Sequence, residues 1–236
     1  MFICLYYPIS ISSSSTSLDL MRLIYAVLVL LLVLGTSAQC QQTAEDWTAK
    51  GDALFDQGKH DEAIEAYDEA IEAYDEILKL DPTIDVAKDD KSSALTRKGF
   101  VLVDKASDLA IQEGAVAGQV KLAEVIQECD DAINASDEAI KCFDEALKLH
   151  PNRITAENGK GLALALKTTA VLPVKGAALA ELGKFDEAIK AYDEALKLDP
   201  TIDLAWAGKG EALKALGNTA EADVAFAKAK ELGYGG

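Results

Sequence analysis

Alternating runs of Val, Ile and Thr are missing from this sequence, and no Asn-Gly turn signal separates such runs. A fold built on sheets is thereby excluded. Histidine occurs only as His60 and His150, and cysteine only four times. No Walker loop, nucleophile elbow, zinc-ligand spacing or dinucleotide fingerprint is present. The sequence therefore offers no catalytic residues, no cofactor-binding residues and no metal site. Asp89-Asp90 and Asp130-Asp131 lack EF-hand spacing and read as solvated acidic faces. Positive charge is scarce too. Lys and Arg number 23 against 40 Asp and Glu, a net charge of −17. Such a chain repels phosphate backbones, which argues against nucleic acid as a partner. Excess carboxylates keep a chain soluble and suit basic partners.

The charge is also unevenly placed. Before Gln41 the only charged residues are Asp19 and Arg22. Leu23–Leu34, "LIYAVLVLLLVL", is an apolar run of signal-peptide length, short for a bilayer span. Thr36-Ser37-Ala38 supplies small residues for cleavage after Ala38. Residues 21–38 are expected to be a signal peptide or a membrane anchor, and the protein exported in either case. Residues 1–20 carry no basic residue and read as an upstream extension, with Met21 the natural start. A short linker, 39–43, leads to one helical domain over 44–232 and a tail, 233–236. Gln39 before Cys40 argues against a lipidated cysteine. Cys129 and Cys142 fall on one helix about 20 Å apart, too far to bridge, so no disulfide framework is expected.

What is present is helical period and internal repetition. Past residue 44, apolar residues recur every three or four positions. Asp61–Pro82, Asp137–Pro151 and Asp186–Pro200 are versions of one helix. Each opens with Asp-Glu, closes with Lys79, Lys148 or Lys197, and is followed by Pro, in keeping with the helix dipole and with proline as a stop. A second helix type carries Lys-Gly, at Gly51, Gly99, Gly161, Gly176 and Gly210. Glycine inside a helix costs about 1 kcal/mol. Its recurrence implies a neighbour approaching too closely for a Cβ. Across the copies His60 aligns with Phe185, and His150 with Asp81 and Asp199, so both histidines read as turn residues.

These residues resemble the tetratricopeptide repeat, a 34-residue helix–turn–helix unit. Trp47, Gly51, Leu54, Ala63, Tyr67 and Ala70 match in the first copy. Gly176, Leu179, Ala188, Tyr192, Ala195 and Pro200 match in the third, with Leu172 in place of tryptophan. Trp206, Gly210, Leu213, Ala222, Phe226 and Ala229 match in the last. Lys before each Gly departs from the family pattern. The resemblance implies an all-α, tetratricopeptide-like α-α superhelix of antiparallel helix hairpins, acting as a non-enzymatic scaffold for other proteins.

The heptapeptide AIEAYDE occurs twice in succession, at Ala63–Glu69 and Ala70–Glu76. Seven residues make nearly two helical turns, so an inserted heptad lengthens a helix by about 10.5 Å and preserves its apolar face. The neighbour must lengthen as well. Pro151 to Lys160 and Pro200 to Lys209 each span nine positions, whereas Pro82 to Lys98 spans sixteen. Gly to the first small residue of the next helix is twelve positions in three copies, but forty from Gly99 to Ala139, which is four heptads more. From Gly161 to Ala188 the excess is fifteen, two heptads and one residue. Long helices are predicted near 85–112, 118–149 and 154–182, forming an elongated central three-helix bundle. The third is expected to kink, or to break, near Pro173. In the second, Leu122, Ile126, Cys129, Ile133, Ser136, Ile140, Phe143 and Leu147 step by four and three, a coiled-coil-like seam with one polar member.

The resemblance further implies a ligand groove lined by the first helix of each hairpin. It maps to Glu45, Thr48, Asp52 and Phe55 in the first copy, and to Leu204, Ala207, Glu211 and Lys214 in the last. Such a lining suits an extended or helical peptide carrying Lys or Arg. The family's carboxylate clamp needs Asn after the repeat glycine. Asp52, Phe100, Leu162, Ala177 and Glu211 stand there instead. The alternative is an architectural, self-assembling helical spacer without a dedicated peptide ligand.

Overall fold

Repeats of this kind build hairpins, and the computed structural model consists of them. It describes residue 25, residues 41–111 and residues 118–235, with no strand among them. All but Tyr25 belong to one structural unit. The upstream extension, the rest of the signal or anchor segment, its cleavage site, Cys4, Cys40 and Gly114 lie outside the described residues. The helices are α1 (41–55), α2 (His60–Leu80), α3 (Asp85–Ile111), α4 (Gly118–Leu149), α5 (Ile154–Ala165), α6 (Leu172–Glu181), α7 (Phe185–Leu198), α8 (Asp203–Ala215) and α9 (Thr219–Leu232). Consecutive helices from α2 to α4 and from α6 to α9 pack on one another, and α4 also packs on α5 and α6. The class is therefore all-α with an elongated central bundle of α3, α4 and the run from α5 to α6.

Each short hairpin turns on a glycine at positive φ: Gly58, Gly183 and Gly217, at 70°, 75° and 83°. Alanine fills the helix–helix contacts. Ala63, Ala70, Ala139, Ala188, Ala195 and Ala205 are wholly buried, so backbones approach closely and the aromatic rings find slots. A Cβ built on Gly51 would lie 2.7 Å from Tyr67, one on Gly176 2.6 Å from Tyr192, and one on Gly210 2.8 Å from Phe226. In all three the ring stands sixteen positions after the glycine. Gly99 meets Leu166 at 2.9 Å instead.

Gly161 departs from the expectation. A Cβ there would meet nothing within 4 Å. The fifteen-residue insertion carries the next aromatic, Tyr192, away from Gly161 and sets it opposite Gly176. The close approach on α5 is made by Gly159, 2.4 Å from Phe143, and its counterpart on α8 is Gly208, 2.4 Å from Tyr192. These rings stand sixteen positions before the glycine. Tyr192 is thus gripped from both sides, by the helix before it and the helix after it.

The duplicated heptad supplies a second aromatic layer. Tyr67 packs with Ala63 and Val101 against Leu54 and Phe55. Seven residues on, Tyr74 packs with Ala44, Ala87 and Ala94 against Trp47. In α4, Cys129, Ser136 and Phe143 of the predicted seam are buried, while Leu122, Ile126, Ile133, Ile140 and Leu147 are half-buried against it. The Ser136 hydroxyl donates to the Ala132 carbonyl at 2.8 Å, which satisfies the one polar member. Burial pushes the Cys129 thiol up to about 12, leaving it an inert packing group.

The run from Ile154 to Glu181 is continuous and passes through Pro173. Its irregularity is a π-helical turn, Leu166–Val171. A π turn takes up one extra residue, and the odd fifteenth residue is accommodated here. The Thr168 and Thr169 hydroxyls donate to the carbonyls of Leu164 and Ala165, at 2.6 and 2.8 Å. Pro173, with no N–H to place, enters α6 at its first turn. This run is long and apolar enough to cross a membrane by length and composition alone, and just over half of its most apolar stretch is buried within the array.

Candidate functional site

The lysines before the repeat glycines are inter-repeat ion-pair donors. Lys98, Lys160 and Lys209 each reach the aspartate that follows an aromatic on the preceding helix: Asp68, Asp144 and Asp193, all at 2.6 Å. Lys50, in the first copy, lies 4.0 Å over the Trp47 ring. Along α3, Lys91 bridges Asp75 and Glu138, and Lys105 bridges Asp61 and Glu128. Burial alone would lower the Lys91 pKa. Hydrogen bonds to its two carboxylates more than reverse that, and it is raised. On the other side of α4, Asp144, Asp137 and Asp130 take Lys160, Lys167 and Lys175. The aspartates step by seven. The lysines step by seven and then eight, across the π turn. In the sequence the lysines before the repeat glycines stand out only as a departure from the family pattern, because their partners lie on other helices.

A groove of about 740 Å³ lies between α2, α3 and α4. Ile64, Ile71, Leu95 and Leu102 line it, and Lys98 and Lys105 span it in the pairs just described.

On the surface formed by the first helices, the structure brings together two of the predicted groove residues. Asp52 and Phe55 of α1 line a recess of about 390 Å³ with Asp56, Tyr67, Arg97 and Phe100. Arg97 and Phe100 come from α3. Asp52 is committed within the protein: the Tyr67 hydroxyl donates to it at 2.6 Å and Arg97 pairs with it. Burial, then the Asp52 carboxylate, raises the Tyr67 pKa. The acidic lining is thus partly neutralised, and Arg97 was not foreseen. Its only signal in the sequence is its place two residues before Gly99.

The other predicted residues are scattered. Glu45 is exposed, and Thr48 is half-buried, its hydroxyl donating to the Ala44 carbonyl at 2.9 Å. In the last copy Leu204, Glu211 and Lys214 are exposed. Ala207 is 2% exposed, so it packs inside the array and cannot line a groove. Of the residues that follow the repeat glycines, Phe100, Leu162, Ala177 and Glu211 are exposed. Two of these are large and apolar.

His60 directly follows the α1–α2 turn and opens α2. Its Nε2 is 3.2 Å from an Asp104 carboxylate oxygen and its Nδ1 3.9 Å from one of Asp108. His150 meets Asp85 at 3.1 Å, beside the Arg153 guanidinium that pairs with the same carboxylate at 2.5 Å. Arg153 also holds Asp89, at 2.5 Å, and so pins the start of α5 to α3.

Helix hairpins locked by glycine–ring contacts define a helical-repeat protein, and apolar side chains stay exposed on its first helices. The repeat type follows from family models: one described as a tetratricopeptide repeat matches residues 44–72, and one described as a TPR repeat matches residues 176–217. The two matched segments lie on either side of the central bundle. No curated protein matches the sequence. Among solved structures, one of MamA protein is 20% identical, covering 81% of this chain and 92% of its own, with a TM-score of 0.33. Another MamA structure is 24% identical over 77% and 93%, at 0.30. MamA from residue 41 to its end, from Desulfovibrio magneticus RS-1, is 17% identical over 80% and 94%, also at 0.30.

Proposed function

We propose that this protein is an exported, non-enzymatic scaffold, secreted or membrane-anchored, that holds partner proteins on the surface of its first helices. The observation that carries this reading is the recess in which Phe55 and Phe100 flank the Asp52–Arg97 pair. Aromatic anchors around a satisfied polar centre suit an inserted apolar side chain of a peptide. Glu45 and Asp56, exposed on the same helix and the turn after it, favour a segment with Lys or Arg beside that anchor. The apolar run before residue 39 supports the compartment.

The test is capture of envelope proteins on the immobilised full chain in detergent. A specific partner is expected to be retained at physiological salt, and the double substitution Phe55→Ser, Phe100→Ser to weaken it at least about tenfold, as loss of an interface hot spot does. Equal retention by the variant overturns the site. Capture of nothing, together with concentration-dependent self-association in sedimentation, favours the spacer alternative. The mass of the mature N-terminus from native cells decides between secretion and anchoring.

A further inference from the structure

His60 opens α2, and its side chain is 15% exposed, lodged between the first hairpin and α3. Asp104 and Asp108 lie one turn apart on α3, on one face. The Phe55 ring, with its centroid 6.0 Å from that of the imidazole, backs the histidine on the other side. One ligand atom from each of the three residues lies within 4.8 Å of the others.

The arrangement is short of positive charge. A neutral imidazole donates from only one ring nitrogen, so a ring with a carboxylate near each nitrogen sets one lone pair toward an anion. Four other aspartates on α2 and α3 are matched by fixed cations: Asp61 by Lys105, Asp68 by Lys98, Asp75 by Lys91, and Asp85 by Arg153. Among the described residues the ion-pair partner of Asp104 and Asp108 is His60. We propose that His60, Asp104 and Asp108 bind one divalent transition-metal cation of the zinc type. One nitrogen and two carboxylate oxygens are a ligand set for such an ion, with solvent completing the sphere. The 3.2 Å between Nε2 and Asp104 is close to the edge of a tetrahedron with bonds near 2.0 Å, about 3.3 Å. An imidazole ligand disfavours Mg²⁺ and Ca²⁺, which take oxygen. His150 offers no equivalent, because the Arg153 guanidinium already occupies its carboxylate partner. A bound ion ties the α1–α2 turn to the part of α3 that runs past it, and so fixes the first hairpin on the central bundle.

The probe is Zn²⁺ alone, titrated calorimetrically at neutral pH into the metal-stripped full chain in detergent, with Mg²⁺ in parallel. One equivalent of zinc is expected to bind in preference to magnesium. His60→Gln, and separately the pair Asp104→Asn with Asp108→Asn, are expected to weaken it at least about tenfold. His150→Gln and the charge-matched pair Glu221→Gln with Asp223→Asn are expected to leave it unchanged. Zinc-edge X-ray absorption of the unaltered protein is a second readout that needs no variant, and it is expected to show one imidazole. Unchanged affinity in His60→Gln, equal binding of Mg²⁺, an equal loss in the charge-matched pair, or no imidazole in the absorption spectrum each overturns the site. The last two outcomes would mean diffuse attraction to an acidic surface rather than a metal on His60.

Discussion

Tyr192 shows how one side chain joins three helices. Gly176 of α6 and Gly208 of α8 leave the gaps its ring fills, and their absent Cβ atoms would overlap it at 2.6 and 2.4 Å. Its hydroxyl is pushed up to about 12, first by burial and then by Glu211 and Glu181. At Gly51, Gly159, Gly176, Gly208 and Gly210 the residue demanded is glycine because a ring sixteen positions away fills the place of its Cβ. This yields a paired prediction on one turn of α5. Gly159→Ala drives a Cβ into the Phe143 ring and is expected to destabilise by about 1–3 kcal/mol. Gly161→Ala meets open space and is expected to stabilise by roughly 0.5–1 kcal/mol through helix propensity. Urea unfolding of both variants checks the sign. The sequence made Gly161 look structural because it follows lysine as its sister glycines do. Only the position of Phe143 shows that the crowded glycine is its neighbour but one. His60 was opaque for a similar reason. Its partners, Asp104 and Asp108, are distant in sequence and belong to no motif.

Among elements, the spacing arithmetic carried furthest. Excesses counted in sevens predicted lengthened neighbouring helices, and α3, α4 and the α5–α6 run form the bundle. The remainder of one residue was visible too, but not its form. Proline suggested a kink or a break, whereas the chain places a π turn just before Pro173 and keeps the helix continuous. The ladder of lysines from the α5–α6 run onto the aspartates of α4 explains what the turn preserves. In a regular α-helix the surplus residue would rotate Lys175 by about 100° relative to Asp130, and the π turn absorbs it. Removing the surplus residue should therefore be tolerated. Deletion of exposed Thr169 is expected to regularise the helix, retain the Lys175–Asp130 pair, and cost no more than about 1 kcal/mol, or roughly 2–4 °C in Tm. Deletion of Ala177, equally exposed but in regular helix, turns Leu179 out of the core and breaks the sixteen-residue spacing of Gly176 and Tyr192. It is expected to cost at least about 3 kcal/mol. Thermal unfolding followed by circular dichroism separates the two.

For the molecule as a whole, acidity sets the pH response. Asp90 is the clearest single contributor. Its carboxyl is pushed up to about 6, first by burial and then by the charges of Glu45 and Asp89. The folded state holds this proton more tightly than the unfolded chain, whose aspartates titrate near 3.8. The stabilisation from a protonated Asp90 is complete below about pH 4 and is lost as the pH rises through 6. Asp90→Asn is expected to flatten stability between those values, and at pH above about 7 to stabilise by about 1 kcal/mol or less, since solvent screens a half-buried site. Chemical unfolding across that range checks both.

The two stacked tyrosine layers of α2 carry an evolutionary corollary. A slippage of seven codons sets the new aromatic, alanines and aspartate on nearly the same bearing as the old ones, so a gene of this type can lengthen a rod in one step without visiting a misphased intermediate. The unprotected stage comes afterwards, while the adjoining rod is still short and the fresh ring lies wet. Selection at that stage falls on the neighbour's length rather than on the inserted residues, which leaves the copied heptapeptide free to stay verbatim.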